Sequence, residues 1–475
     1  MSLETHRKTS FAAVLGGSSL IPREPITRAS SVSILLALVL AGAASAAQPQ
    51  AESRDMRLVG FHGLSGRGAY QPVIHEQSGR WIAYVGHHGG VQLNPQTGGM
   101  EPNGTSILDV TDPRNPKYLS HVPVGTGSGA QMVRICNGKD LPNGDGRKVY
   151  MLRSSGHSSH EVWDVTVPQE PVFLVTVAKD LNGTHKSWWE CDTGIAYLVS
   201  GVRGWRTHRM TQVYDLANPA KPVFIRNFGL PGQQPGAKGP VPTGLHGAIS
   251  TGPRGNRVYF GHGTNSDGIL RIVDREKLLR GPREPTRENL LYPEVGRFRL
   301  PVDYGAHTVF PVIGVKTADP ATGKPSTRDF VVVTNEALQE GCAGPRQQVW
   351  IVNVTAESRP IAVAQWTVNE NGSDYCARGG RVGSHSSHEN FTPIYYGRVM
   401  FIAHFNAGVR AVDIRNPYRP REIAYYVPAA DSRGVVATNN VEVDDRGYIY
   451  IVDRGSLGLH ILELTGEARG AANLK

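Results

Sequence analysis

The chain has 475 residues, 39% of them hydrophobic and 19% charged, with 55 Gly and 32 Pro, a composition that builds a core and excludes a disordered chain. Lys and Arg outnumber Asp and Glu by 50 to 41, a net charge of +9, but the cations are scattered and not interleaved with aromatic residues, so nucleic acid is excluded as a partner. Length alone suits about two or three domains, although all-β architectures run this long as single units.

Residues 1–46 read as a secretory signal with an extended leader. Residues 32–40 (VSILLALVL) follow Arg23 and Arg28 and lead into Ala44-Ser45-Ala46, which gives a charged region, an apolar run and a small-residue cleavage site. The run is too short to span a bilayer. The polar leader before it suits either an upstream start codon or a twin-arginine-type signal around His6-Arg7-Lys8. No later segment reads as a membrane span, so the mature chain is expected in the periplasm or outside the cell.

From residue 56 onward the sequence repeats itself. A β-prone run ends in an acidic or amide residue and passes into a turn: SILDVTDPRNP (Asp109), EVWDVTVPQEP (Asp164), QVYDLANPAKP (Asp215), RIVDREKLL (Asp274), WIVNVTAESRP (Asn353), RAVDIRNPYRP (Asp413) and HILELTGEA (Glu463). These seven copies recur about every 50 to 80 residues, the scale of a four-stranded propeller blade and its loops. Between them lie pairs of Val, Ile, Tyr and Phe-rich runs bounded by Gly, Asn, Asp and Pro, such as TGLHGAISTGPRGNRVYFGHG, which read as hairpins. After Glu463 no outer strand follows, whereas residues 56–61 (MRLVGF) supply a matching one at the other end. The prediction is an all-β, seven-bladed propeller over 56–466 whose last blade is closed by the N-terminal strand of the mature chain, a closure that removes free sheet edges. Residues 467–475 read as a disordered tail.

The units VYDLANPAKP and AVDIRNPYRP resemble those of the LVIVD-repeat proteins, secreted or periplasmic propellers, over nearly all of 56–466. That resemblance implies the fold and says little of the activity, since propellers host many.

Equivalent inner-strand positions of a propeller surround its axis. In blade order they are Gln71, Gln131, His185, His246, His307, His388 and Asn440. Four consecutive histidines at one level favour a bound metal, because neutral imidazole is the commonest protein ligand for such ions. Strand phase selects His388 over His385 within HSSH. One divalent ion is therefore expected on His185, His246, His307 and His388, with iron the first choice and copper, zinc or manganese next. Polar residues at the ends of second strands, Arg153, His262, Glu336, His404 and Arg454, together with Glu389, are candidates to orient the ligands or bind substrate. Tyr70, Tyr304 and Asp303, beside ring positions, are candidates for acid, base or substrate contacts. The Gly-rich stretches lack the strand–loop–helix setting of phosphate loops, and the run 154–160 has no nucleophile elbow.

Four cysteines in an oxidising compartment point to two disulfides, with three pairings open by count alone. Cys136 and Cys191 follow ring positions at the ends of neighbouring inner strands, and Cys342 and Cys376 fall in long loops of blades 5 and 6. Position favours Cys136 with Cys191 and Cys342 with Cys376.

The four-histidine arrangement resembles the iron site of carotenoid-cleaving oxygenases, also seven-bladed, in arrangement only. The periplasmic methanethiol oxidases, propellers as well, offer copper as a neighbouring reading. Three functions are therefore expected in order: an iron or copper oxidoreductase acting on a small organic molecule, a metal-assisted lyase or hydrolase on a polar or anionic substrate, and a non-catalytic binding propeller.

Overall fold

In a computed structural model, residues 50–125, 129–369, 373–432 and 434–474 are described. The secretory segment expected over 1–46 lies outside them. Seven antiparallel sheets follow one another along the chain. Blades 1 to 6 begin with the inner strands Ala69–Gln77, Val133–Asn137, Ser187–Trp189, Leu245–Ser250, Thr308–Ala318 and Ser386–Ser387, and each then steps outward through three more strands. Blade 7 holds Thr438–Val443, Ile449–Asp453 and Leu459–Leu464, and its outer strand is Met56–His62, registered with Arg57 opposite Glu463. The same N-terminal segment also adds a fifth strand, Glu52–Arg54, to the edge of blade 6. Asp55, at φ 50°, makes the corner between the two strands.

The recurring Asp has a local cause. At the end of the third strand its side chain accepts the amide N–H two or three residues on: Asp109 from Thr111 at 2.9 Å, Asp164 from Thr166 at 3.0 Å, Asp215 from Ala217 at 2.7 Å, Asp274 from Lys277 at 2.9 Å and Asp413 from Arg415 at 3.0 Å. Asn353 does the same with Thr355 at 3.0 Å. A carboxylate or amide there starts the turn to the outer strand, which explains why the copies align at that residue.

Between blades, apolar faces interleave. Ile82, Tyr84 and Ile107 of blade 1 pack on Val133, Ile135 and Met151 of blade 2, and equivalent layers recur around the ring. Buried arginines tie the outer parts together. Arg153 donates to the carbonyls of Val122 (2.7 Å) and Pro123 (3.0 Å) and pairs with Glu161, while Arg271 reaches the carbonyls of Gly229 (2.9 Å) and Leu290 and pairs with Glu294. Each satisfies carbonyls that burial would otherwise leave unpaired.

Two disulfides form. Cys136–Cys191 joins the inner strands of blades 2 and 3 with Cα atoms 5.4 Å apart, and Cys342–Cys376 joins two loops with Cα atoms 5.3 Å apart. No helix of the described residues is long and apolar enough to cross a membrane. The segment read as a disordered tail is ordered through residue 474. Gly466–Arg469 forms a helical turn, Ala468 and Ala471 are buried against blades 6 and 7, and Asn473 N–H donates to the Ile394 carbonyl at 2.9 Å. Its small apolar residues fit the floor between those blades, which sequence polarity alone hides.

Candidate metal centre

The inner strands begin at one mouth of the channel, where the imidazoles of His185, His246, His307 and His385 stand in a row. Ring centroids are 4.6 Å apart for His185 and His246, 3.6 Å for His246 and His307, and 4.3 Å for His307 and His385. All four are buried. Burial holds each far below the usual imidazole value, with the charges of Arg209 or Arg454 or neighbouring histidines adding to it, so the rings are neutral at pH 7.

Their outer nitrogens are tied down. His246 Nδ1 donates to the His307 carbonyl at 3.1 Å, His385 Nδ1 to the Asn439 carbonyl, and His185 Nδ1 to Gln131 Oε1 at 2.6 Å. His307 Nδ1 lies 2.9 Å from Thr308 Oγ1. With the proton assigned to Nδ1 by these acceptors, the Nε2 atoms of His185, His246 and His385 carry lone pairs, and that of His185 also faces the Tyr70 hydroxyl. His185 and His246 bring theirs to 2.9 Å, while the Nε2 of His307 is buried without a partner. Glu336 closes the group, with its carboxylate oxygens 3.9 Å from His307 Nε2 and 3.6 Å from His385 Nε2. The donor atoms of His246, His307 and Glu336 lie within 4.8 Å of one another, a buried group able to hold a metal ion. One pair also matches a shared ion: His185 and His246 Nε2 are 2.9 Å apart, and two nitrogens bound side by side at about 2.1 Å in an octahedral shell are about 3.0 Å apart.

Tyr70 completes the cluster. Its hydroxyl is 3.0 Å from His185 Nε2, and its ring meets His88, His185 and His385 edge-on at 5.2, 5.1 and 5.8 Å. Burial, and then the charge of Glu336, keep its hydroxyl protonated far above pH 7. Gln131 bridges His185 to His88 Nδ1 (3.0 Å), and Gln71 and Asn440 face each other beside Asn439.

His388 is not part of this group. Its Nδ1 accepts the Phe401 N–H at 3.2 Å and its ring lies 5.4 Å from Phe310, on the blade side of the strand. Residues three apart in extended chain face opposite ways, so His385 takes the position given to His388. The second-strand residues divide in the same way. Glu336 and Arg454 act on the cluster. Arg153 is an interblade tie, the His262 ring lies 6.4 Å from Phe260, and the His404 ring lies 6.4 Å from Trp366. Tyr304 packs on Trp350 at 5.2 Å and Asp303 is exposed at the rim, where its carbonyl accepts from Gln347 at 2.7 Å.

Glu389 sits one level lower. It pairs with Arg134 and, at 2.5 Å, with Lys186, whose ammonium also reaches Thr308 Oγ1 at 3.4 Å. Glu389 thus touches the histidines only through Lys186 and Thr308. Of the residues that sequence reading missed, Arg209 and Arg381 come from loops, Lys186 follows a ring position by one and Asn439 precedes one. Only the Lys after His185 offered a signal.

No family model matches the chain, and no curated protein is similar to it in sequence. In structure it is similar to Raptor from Chaetomium thermophilum, with a TM-score of 0.52 at 10% identity over 88% of this chain, and it spans 30% of that chain. It is also similar to Sqt1 from the same organism, with a TM-score of 0.45 at 11% identity over 83% of this chain and 84% of that one. At such identity the likeness to Raptor shows the propeller fold alone.

Proposed function

We propose that the chain is a secreted or periplasmic metalloenzyme of the LVIVD-repeat type, holding one divalent ion on the Nε2 atoms of His185, His246, His307 and His385. In this reading it is an iron or copper oxidoreductase acting on a small organic molecule, with a site similar in arrangement to that of the carotenoid-cleaving oxygenases. The observation that carries it is the set of Nδ1 atoms tied to carbonyl, amide and hydroxyl oxygens, because metal-bound histidines donate their other N–H to just such acceptors. Two disulfides support an oxidising compartment.

Bound there, the ion would supply redox or Lewis-acid chemistry. The protein's own part is legible. Gln131 and the carbonyls of His307 and Asn439 orient the rings. Tyr70 presents a phenolic proton at the His185 edge of the cluster, and Glu336 offers a carboxylate between His307 and His385. A second reading rests on that carboxylate. If His246, His307 and Glu336 are the ligands, the donor set is also that of hydrolytic zinc sites, and the activity is a metal-assisted hydrolysis or elimination.

The test is elemental analysis of untagged mature protein beside His246→Ala and His307→Ala. One equivalent of iron or copper, lost in both variants while their circular dichroism is unchanged, supports the oxidoreductase, and zinc supports the second reading. Folded wild type that stays metal-free through repletion overturns both.

A further inference from the structure

Above the histidines, three half-buried arginines from three different blade connections face one carboxylate. Arg381 Nη1 lies 3.3 Å from Glu336 Oε1, and its guanidinium rests over the Phe405 ring, 5.4 Å from the centroid. Phe405 in turn packs on His385 at 5.0 Å. Arg454 acts electrostatically on Glu336, Tyr70, His88 and His385, and Arg209 on Glu336, Tyr70, His185 and His246. The Arg209 carbonyl accepts the Leu245 N–H of blade 4 at 3.0 Å, beside His246, and the Arg454 N–H donates to the Ala437 carbonyl of blade 7 at 2.9 Å, so the two arginines start from opposite sides of the ring. Among the described residues neither Arg209 nor Arg454 forms an ion pair, and Arg209 Nε is buried without a partner.

The charge does not close. Three guanidinium groups meet one carboxylate, an excess of two positive charges, and a divalent ion on the histidines would double it. Buried or half-buried charge of one sign is costly unless an opposite charge joins it. Elsewhere Arg153, Arg271 and Arg275 each have their own glutamate, and the fully buried Arg67 and Arg226 donate to carbonyl or amide oxygens, whereas among the described residues the side chains of Arg209 and Arg454 do neither. A planar guanidinium pairs best with an oxyanion, which it holds through two parallel N–H donors.

We propose that Arg209 and Arg454, assisted by Arg381, form an oxyanion pocket at the mouth of the channel, and that the substrate is a small organic molecule carrying a carboxylate or phosphate group. The anionic end sits between Arg209 and Arg454, which directs the remainder toward Tyr70 and the four histidines. This rests on the metalloenzyme reading for its chemistry, though not for the binding of the anion.

The experiment is calorimetric titration of benzoate, phenyl phosphate and the neutral benzyl alcohol into the mature protein, metal-repleted wild type beside His246→Ala, Arg209→Gln and Arg454→Gln. Benzoate or phenyl phosphate should bind wild type at least 10-fold more tightly than benzyl alcohol, and which of the two is preferred identifies the oxyanion. Each arginine variant should lose most of that preference while keeping the metal content of wild type. Equal affinity for the anions and the alcohol, no binding of either anion, or unchanged preference in both arginine variants overturns the pocket. The preference should survive in His246→Ala, and its presence in a wild type that stays metal-free through repletion would retain the pocket and discard the metal centre. The reverse pattern would do the opposite.

Discussion

The upper and lower halves of the channel are both polar, yet they are built on different terms. In the lower half Glu389 lies between Arg134 and Lys186, and Arg134 also covers the Trp188 ring at 4.5 Å. The two cations hold Glu389 in its charged form against burial, while the neighbouring Glu442, pushed up to about 8 chiefly by burial, stays protonated. Two cations share that one charged carboxylate, and both contact it directly. In the upper half the histidines are neutral, and of the three arginines only Arg381 contacts the carboxylate. A self-satisfied set of buried ions is architecture, whereas a set left unsatisfied by the chain is shaped for something the chain binds.

That contrast can be broken most strongly at Lys186. Removing one partner of a buried ion cluster typically costs about 3–5 kcal/mol, so Lys186→Met should lower the urea unfolding free energy by that order. His246→Leu, which replaces a neutral ring facing other lone pairs, should cost less than about 1 kcal/mol or stabilise the metal-free protein. Equal losses in the two variants would erase the distinction between the halves.

Smaller effects follow from titration. Burial lowers His388 to about 3, below its unfolded value of 6.5, so the unfolded chain binds the extra proton first and stability is lost as pH falls below about 6.5. His388→Leu should remove up to about 1.4 kcal/mol per pH unit from that slope between about pH 6 and 4, read from urea midpoints. Glu442 has the opposite sign. Its raised value means stability is fully present below its unfolded value of 4.5 and is lost as pH rises through about 8. Wild type should therefore weaken between about pH 5 and 8 more than Glu442→Gln does, and parallel pH profiles would show that Glu442 is solvated.

The fold is legible in the sequence because each blade repeats one local necessity, the Asp or Asn that starts the turn after the third strand. Three of the converging histidines are legible for the same reason, since His185, His246 and His307 each sit at the start of an inner strand. The fourth was misplaced because blade 6 pairs only Ser386 and Ser387 on its inner strand. With so short a ladder, phase does not choose between His385 and His388, and an odd shift moves a side chain to the opposite face. Arg209 and Arg381 lie on connections whose paths no periodicity encodes. His404 shows the converse, a polar residue at a strand end that packs against Trp366 of the neighbouring blade.

The most direct test of the account compares metal content in His385→Ala and His388→Ala after identical repletion. The account requires wild type and His388→Ala to hold one equivalent and His385→Ala to lose it. Loss in His388→Ala with retention in His385→Ala, or no metal in folded wild type, would contradict a centre built on the Nε2 atoms of His185, His246, His307 and His385.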